Sequence, residues 1–281
     1  MKTLLFGTAG VPRCSPGTST ISGLETLKKI KLDCLEVEFV QRVSLGEETA
    51  RKVRKKAEEL GLPLSVHAPY YINLNSHDPE KLIASRKRLI DAAKAAFLLG
   101  ATEVVFHPGF YQGDSPDRTF GKIKDELAMI LEEISSQGIF LSLRPETTGK
   151  HNQFGSLEET LRLVREVPRL KPCLDFAHLH ARRGYHGKED FLKDLERVGE
   201  VLGGGSLKDL HVHVSGINYS KSGEVNHLNF SDSDFPFDKL LEAFFSLEVS
   251  GRVICESPNL ERDARLLKKR WREIVKINPQ D

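Results

Sequence analysis

Eight times along the chain a short apolar run gives way to a segment of helical period, and this alternation limits the possible folds more than any other feature. Strands are expected at residues 4–7, 33–39, 63–66, 102–106, 139–143, 172–175, 207–214 and 252–255. Helices are expected at 18–30, 47–60, 79–99, 119–136, 156–166, 188–201, 236–247 and 260–277. Ser/Thr residues open the first helix, and Gly61 and Gly100 stop the second and third, because glycine tolerates the positive φ of a helix end. Eight strand–helix units in 281 residues point to an α/β chain folded as a (β/α)8 TIM barrel, a single domain over residues 1–281. The competing open, doubly wound sheet would normally carry a Gly-rich phosphate turn after its first strand. Gly7-Thr8-Ala9-Gly10 offers only a GxxG fragment.

Six of these runs end on metal-capable side chains: His67, His107, Glu146, Asp175 (with His178 three residues on), His213 and Glu256. Alone, His67 or His107 reads as a polar loop residue, Glu146 or Glu256 as a helix N-cap partner or surface charge, and His178 as a loop hydrogen-bond partner of Asp175. In a closed parallel barrel, however, all strands end at one rim, so these six would meet in one pocket. Imidazole with carboxylate suits zinc, manganese or iron. Cys14, Cys34, Cys173 and Cys255 form no CxxC pair, which argues against a thiolate site or a disulfide framework. Several carboxylates in one pocket let one of them bridge two ions, an arrangement suited to phosphoester hydrolysis. His211, two residues before His213 on the same strand face, is expected one layer below as its partner. His77, His151, His180 and His186 are expected in loops.

A formal net charge of +1 neither demands nor excludes a nucleic-acid partner. No run approaches the roughly 18 to 20 apolar residues of a membrane span, and residues 1–7 are too short an apolar run for a signal peptide. A cytoplasmic protein without a membrane partner is expected.

The blocks Val66-His67-Ala68-Pro69-Tyr70-Tyr71-Ile72-Asn73-Leu74, Phe106-His107-Pro108-Gly109, Pro145-Glu146-Thr147-Thr148-Gly149 and Leu174-Asp175-Phe176-Ala177-His178 resemble endonuclease IV. So do His213, His227 and Ile254-Cys255-Glu256. That family comprises apurinic/apyrimidinic endonucleases on a xylose-isomerase-like TIM barrel with three zinc ions. The likeness runs from about residue 60 to residue 260, as in a divergent, archaeal-type member; the first sixty residues match poorly, and the family's early His on strand one has no counterpart in Leu5-Phe6-Gly7. The resemblance implies that His67, His107 and Glu146 hold a first zinc ion, and that Glu146 bridges to a second held by Asp175, His213 and Glu256. His178 and His227 would hold a third. The family's Asp two residues before the last His is replaced by Val225, and Glu224 is the candidate substitute. Two or three Zn2+ ions, with Mn2+ as an alternative, would then serve cleavage 5′ to abasic sites in double-stranded DNA by a monomer in base excision repair. Glu146 would be the catalytic carboxylate. Tyr70, Arg42, Arg182 and Arg183 are the expected DNA contacts, with Arg118, Lys150 and Lys221 adding positive charge on other rim loops. The alternative is a divalent-metal sugar isomerase or epimerase, for which Glu146, Asp175, His213 and Glu256 would suffice with one ion.

Overall fold

The computed structural model describes residues 4–277. Its eight long-sheet strands are β1 (Leu4–Ala9), β2 (Cys34–Glu38), β3 (Leu64–His67), β4 (Glu103–Phe106), β5 (Ser142–Pro145), β6 (Cys173–Asp175), β7 (Leu210–Val214) and β8 (Gly251–Cys255). They are parallel and hydrogen-bonded in the order β5-β4-β3-β2-β1-β8-β7-β6. Parallel bridges Leu143–Leu170 and Glu146–Cys173 bring β5 back to β6, so the sheet nearly closes into the expected barrel. Helices α1 (Thr20–Lys29), α2 (Glu47–Leu60), α3 (Pro79–Leu99), α4 (Pro116–Ser136) and α5 (Leu157–Glu166) follow β1 to β5 in turn. Next come α6 (Phe176–Arg183), α7 (Lys188–Leu202), α8 (Phe237–Ser246) and α9 (Glu261–Ile277). Among the described residues no helix is long and apolar enough to cross a membrane.

Local chemistry explains these elements. Asp78 caps α3 by accepting from the N–H groups of Glu80 and Lys81, Pro79 presets its first turn, and Gly100 ends it at φ 72°. The small residues Ala92, Ala93, Ala95 and Ala96 let α3 lie close on the sheet. Ser156 and Glu159 form a capping box that starts α5.

Four differences from the sequence reading have physical causes. Ser115 caps α4 and Pro116 occupies its first turn, so this helix begins three residues before the expected Thr119. Ile139 is spent on the end of that helix, its N–H donating to Ile134 O at 3.0 Å, and β5 therefore starts later and runs through Pro145. The segment after Asp175 is helix α6 and not a loop: the Asp175 side chain accepts from His178 N at 2.7 Å and caps it. Finally, residues between β7 and α8 form an antiparallel hairpin, Gly216–Ser220 with Gly223–Leu228, which no periodicity signalled.

The barrel interior is not wholly aliphatic. Glu36, Glu103, Arg144 and His211 are buried within it. Arg144 donates to Pro172 O at 2.8 Å and to Glu103 Oε1 at 2.5 Å, and Glu103 Oε2 lies 3.0 Å from His211 Nδ1. This polar layer directly underlies the strand ends.

Candidate metal centre

Strand geometry places the six expected endings together. Glu146, one residue beyond β5, is fully buried and is the hub. Its Oε2 lies 3.0 Å from both His67 Nε2 and His107 Nε2, and its Oε1 lies 3.2 Å from His178 Nδ1 and 3.5 Å from His213 Nδ1. His67 donates Nδ1–H to the Ala68 carbonyl at 2.8 Å, which turns Nε2 toward the cluster. His178 likewise directs Nδ1–H at Thr147 O (3.0 Å), leaving Nε2 free to face the hairpin.

The donor set fits divalent ions. Donor atoms of Glu146, Asp175, His213 and Glu256 all lie within 4.8 Å of one another, as do those of His67, Glu146 and His213, and those of His107, Glu146 and His178. Buried Glu146 Oε1, Asp175 Oδ2 and His213 Nδ1 make no hydrogen bond. Orphaned acceptors at full burial are costly, and a cation shared among them removes that cost.

The hairpin completes the arrangement. His227 Nε2 comes within 3.3 Å of His178 Nε2, and Glu224 Oε2 within 3.4 Å of the same nitrogen. A register shift in the hairpin makes this possible: Asn218 pairs with Asn226 but Tyr219 pairs with Glu224, so Val225 is bulged out. Val225 is 53% exposed, while Glu224, three residues before His227, shares its side. Gly149 is required beneath them, since a Cβ there would fall 2.6 Å from Glu224 Cβ and 3.1 Å from the His178 ring. Asp175, rather than Glu224, completes the three-donor group of His178 and His227 within 4.8 Å.

The electrostatics follow from burying carboxylates among imidazoles. Burial alone would raise Glu146, yet the charges of His107 and His213 hold it well below the usual carboxylate range. Burial opposes charge on His67, but Glu38 and Glu146 push it up to about 10; against the same opposition His178 is raised well above the ordinary imidazole value, first by Asp175, and His213 first by the Cys173 sulfur and then by Glu256, Glu36 and Glu146. Asp175, where burial dominates, rises to about 6.

Two carboxylates of this region were missed. Glu36 is buried, with Oε1 2.8 Å from His213 Nε2 and Oε2 2.9 Å from His211 Nε2, so His211 sits below His213 as expected and Glu36 joins them. Glu38 lines the cleft, and burial pushes it up to about 8. The signal was present: a strand buried in a parallel sheet is normally near-continuously apolar, and β2 reads Cys-Leu-Glu-Val-Glu.

The cleft above these donors has a volume of about 170 Å³. Tyr70 stands at its mouth, 48% exposed, its ring centroid 4.2 Å from that of Tyr71. Arg42 is exposed between β2 and α2. The two expected phosphate contacts on α6 are engaged elsewhere. Arg182 donates to Thr148 O, to Thr148 Oγ1 (2.9 Å) and to the carbonyls of Lys150 (2.8 Å) and Gln153 (2.7 Å), holding the loop that meets the hairpin. Arg183 pairs with Asp194 and with Tyr185 Oη. His180 is buried, not a surface loop residue: Nδ1 accepts from Tyr185 N at 2.8 Å, and Nε2 lies 3.1 Å from Asp234 Oδ1.

A parallel eight-stranded barrel with a carboxylate–imidazole cluster at its C-terminal rim defines a class of enzyme-bearing scaffold. The xylose isomerase-like TIM barrel family matches residues 24–274, and the chain belongs to that family. It is 42% identical over 273 residues to the uncharacterized protein MJ0133 of Methanocaldococcus jannaschii, covering 96% of this chain and 98% of that one. It is 29% identical over 222 residues to a probable endonuclease 4 of Staphylococcus aureus, covering 72% and 74% of the two chains. Among solved structures, a D-tagatose 3-epimerase-like protein superposes with a TM-score of 0.74 at 20% identity, covering 98% of both chains. Endonuclease IV from Thermus thermophilus superposes with a TM-score of 0.72 at 23% identity, covering 96% of this chain and all of that one. These two structural likenesses are of fold.

Proposed function

We propose that the protein is a divalent-metal phosphodiester hydrolase that nicks duplex DNA 5′ to abasic sites, acting as a cytoplasmic monomer. The observation that carries this reading is the continuity of the donor cluster. His67, His107, His178 and His227 extend the Glu146–Asp175–His213–Glu256 tetrad well beyond what one ion needs. Zn2+, or Mn2+, suits these donors, and such ions supply a water activated at neutral pH and stabilisation of a leaving oxygen. The chain's own residues do the rest. Glu146 stays ionised and, with imidazoles beside both of its oxygens, would be shared between neighbouring ions. Asp175, His213 and Glu256 would hold a central ion, and His67 and His107 a flanking one. His178 and His227, with Asp175 or Glu224 beside them, would hold a third. Tyr70, at the cleft mouth, would stack against an unpaired nucleotide held out of the helix.

A second reading has specific support. The tetrad alone is a four-donor group adequate for one ion in a sugar isomerase or epimerase, and the D-tagatose 3-epimerase-like protein shares the fold. Incubation of the metal-loaded protein with a duplex carrying one abasic site separates the two. Nicking 5′ to the site, abolished by Glu146→Gln, is expected. Intact DNA together with ketose epimerisation would sink the nuclease reading.

A further inference from the structure

Two helices of similar charge density treat their charges in opposite ways. On α2, cations and acids pair along the helix: Arg51–Glu47 at 2.6 Å, Lys52–Glu48 at 2.7 Å, Arg54–Glu58 at 2.8 Å and Lys56–Glu59 at 3.2 Å. On α9, Arg262, Arg265, Arg272 and Lys276 form no ion pair among the described residues, and Lys269 approaches only Glu273, at 3.9 Å. Two of the α9 acids are committed elsewhere, and Glu273, the one acid in the groove, is held by Arg270. Glu261 is buried and accepts from Arg13 N and Cys14 N at 2.9 and 3.2 Å. Asp263 is buried and accepts from Phe230 N and Asn259 Nδ2, both at 2.9 Å.

The five cations recur at intervals of three and four residues, so they lie along one face of the helix. The opposite face, with Ala264 and Leu267 buried, packs on the barrel. From Arg262 to Lys276 the stripe is about 21 Å long, the axial rise of about six phosphates on one DNA strand. It lines a groove of about 630 Å³ against the turn after α1, where Lys31 adds a further cation. Lys268, paired with Asp33 at 2.5 Å, pins the groove's two walls together. At its upper end, Arg262 is shared with a cleft of about 420 Å³ that also includes Arg13 and Asn259, residues just past the ends of β1 and β8. The stripe therefore begins at the rim that carries the metal-capable cluster and descends the barrel flank.

Like charges held along one face of a protein with a net charge of only +1 repel one another unless an anion lies among them. We propose that this stripe is a docking track for nucleic-acid phosphates that extends the contact beyond the rim, an inference that rests on the DNA reading of the cluster. It carries no base-edge readout, so its contribution is independent of sequence and lesion and strongly dependent on salt.

The test is DNA binding by fluorescence anisotropy across a salt series, with the metal-loaded wild type and an Arg265→Glu/Arg272→Glu variant, on duplexes with and without an abasic site. Removing two phosphate contacts lowers the salt slope by about 1.8, so between 50 and 200 mM salt the wild type loses about tenfold more affinity than the variant. The same change is expected on both duplexes, with nicking at saturating DNA unchanged. An Arg262→Gln/Lys276→Gln variant reads the same slope if the double reversal does not fold. Identical slopes in wild type and variants overturn the proposal, as does unchanged DNA binding with loss of binding to phosphatidylserine vesicles. A wild type that binds no DNA removes the nuclease reading as well, whereas a wild type that binds and nicks alongside unaltered variants removes the track alone.

Discussion

Glu146, Asp175, His213 and Glu256 leave the ends of four barrel strands and are fixed by the parallel ladder around them, whereas His227 and Glu224 ride on a hairpin. That hairpin meets the barrel through the bridge between Lys150 and Gly223 and through Glu224 N donating to Gly149 O at 3.1 Å. It is braced from the other side by Tyr219, whose hydroxyl donates to Asp234 Oδ2 at 2.7 Å. The strand-end donors share a buried polar layer and cannot move independently. The hairpin donors depend on a bulge and on one glycine. The central cluster should therefore tolerate little change, and the outer one should vary in occupancy without loss of the fold.

The largest effect expected is from Glu146→Gln. Because Glu146 touches four imidazoles, its loss should weaken metal binding by more than the roughly 10–100-fold typical of losing an outer partner, as read by competition with a chelator. Retained affinity would break the picture of Glu146 as hub.

Next comes pH. In the metal-free protein Glu38 and Glu146 push His67 up to about 10, and His178 and His213 are raised as well, so a divalent ion must displace protons. Affinity should fall as pH drops from 8 to 6, by up to about tenfold per unit for each proton displaced. Metal-free stability runs the other way. Imidazoles with raised values stabilise fully below their unfolded value of about 6.5 and lose that contribution as pH rises toward 10. Asp175 at about 6 and Glu38 at about 8, being raised acids, act in the same direction. The gain in Tm on adding metal should thus grow from pH 6 to pH 8, and a flat profile would contradict the assignment of these residues as ligands.

Glu36→Gln should weaken binding by roughly 10–100-fold, because among the cluster donors Glu36 touches His213 alone within ion-pair distance. The smallest effect belongs to Glu224→Ala. Because Asp175 completes the donor group of His178 and His227, elemental analysis should show the outer ion weakened and the central ions kept, and complete loss of the outer ion would make Glu224 its required ligand. Unchanged stoichiometry would leave Asp175 as the third partner of His178 and His227.

The same contrast explains what was legible in the sequence. A strand that ends on His or Glu after an apolar run announces itself, and parallel closure brings such endings together, so His67, His107, Glu146, Asp175, His213 and Glu256 could be read directly. Glu36 lies inside a strand, where burial is not signalled by a break in the pattern. The hairpin is short, polar and half-exposed, so its pairing left no apolar alternation to read. His227 and Glu224 were reached only through a family likeness. Arg182 and Arg183 read as loop residues because nothing in the sequence marks Asp175 as the cap of a helix as well as a metal-capable side chain. One side chain serving two purposes is invisible to a reading that gives each residue one.

The most direct test is the number of divalent ions per chain in wild type and in His227→Ala, by elemental analysis after loading with zinc. More than one ion in the wild type, and one fewer in the variant, is the result expected of a central cluster extended by the hairpin. A single ion in both would contradict it and return the tetrad to the chemistry of a one-metal site.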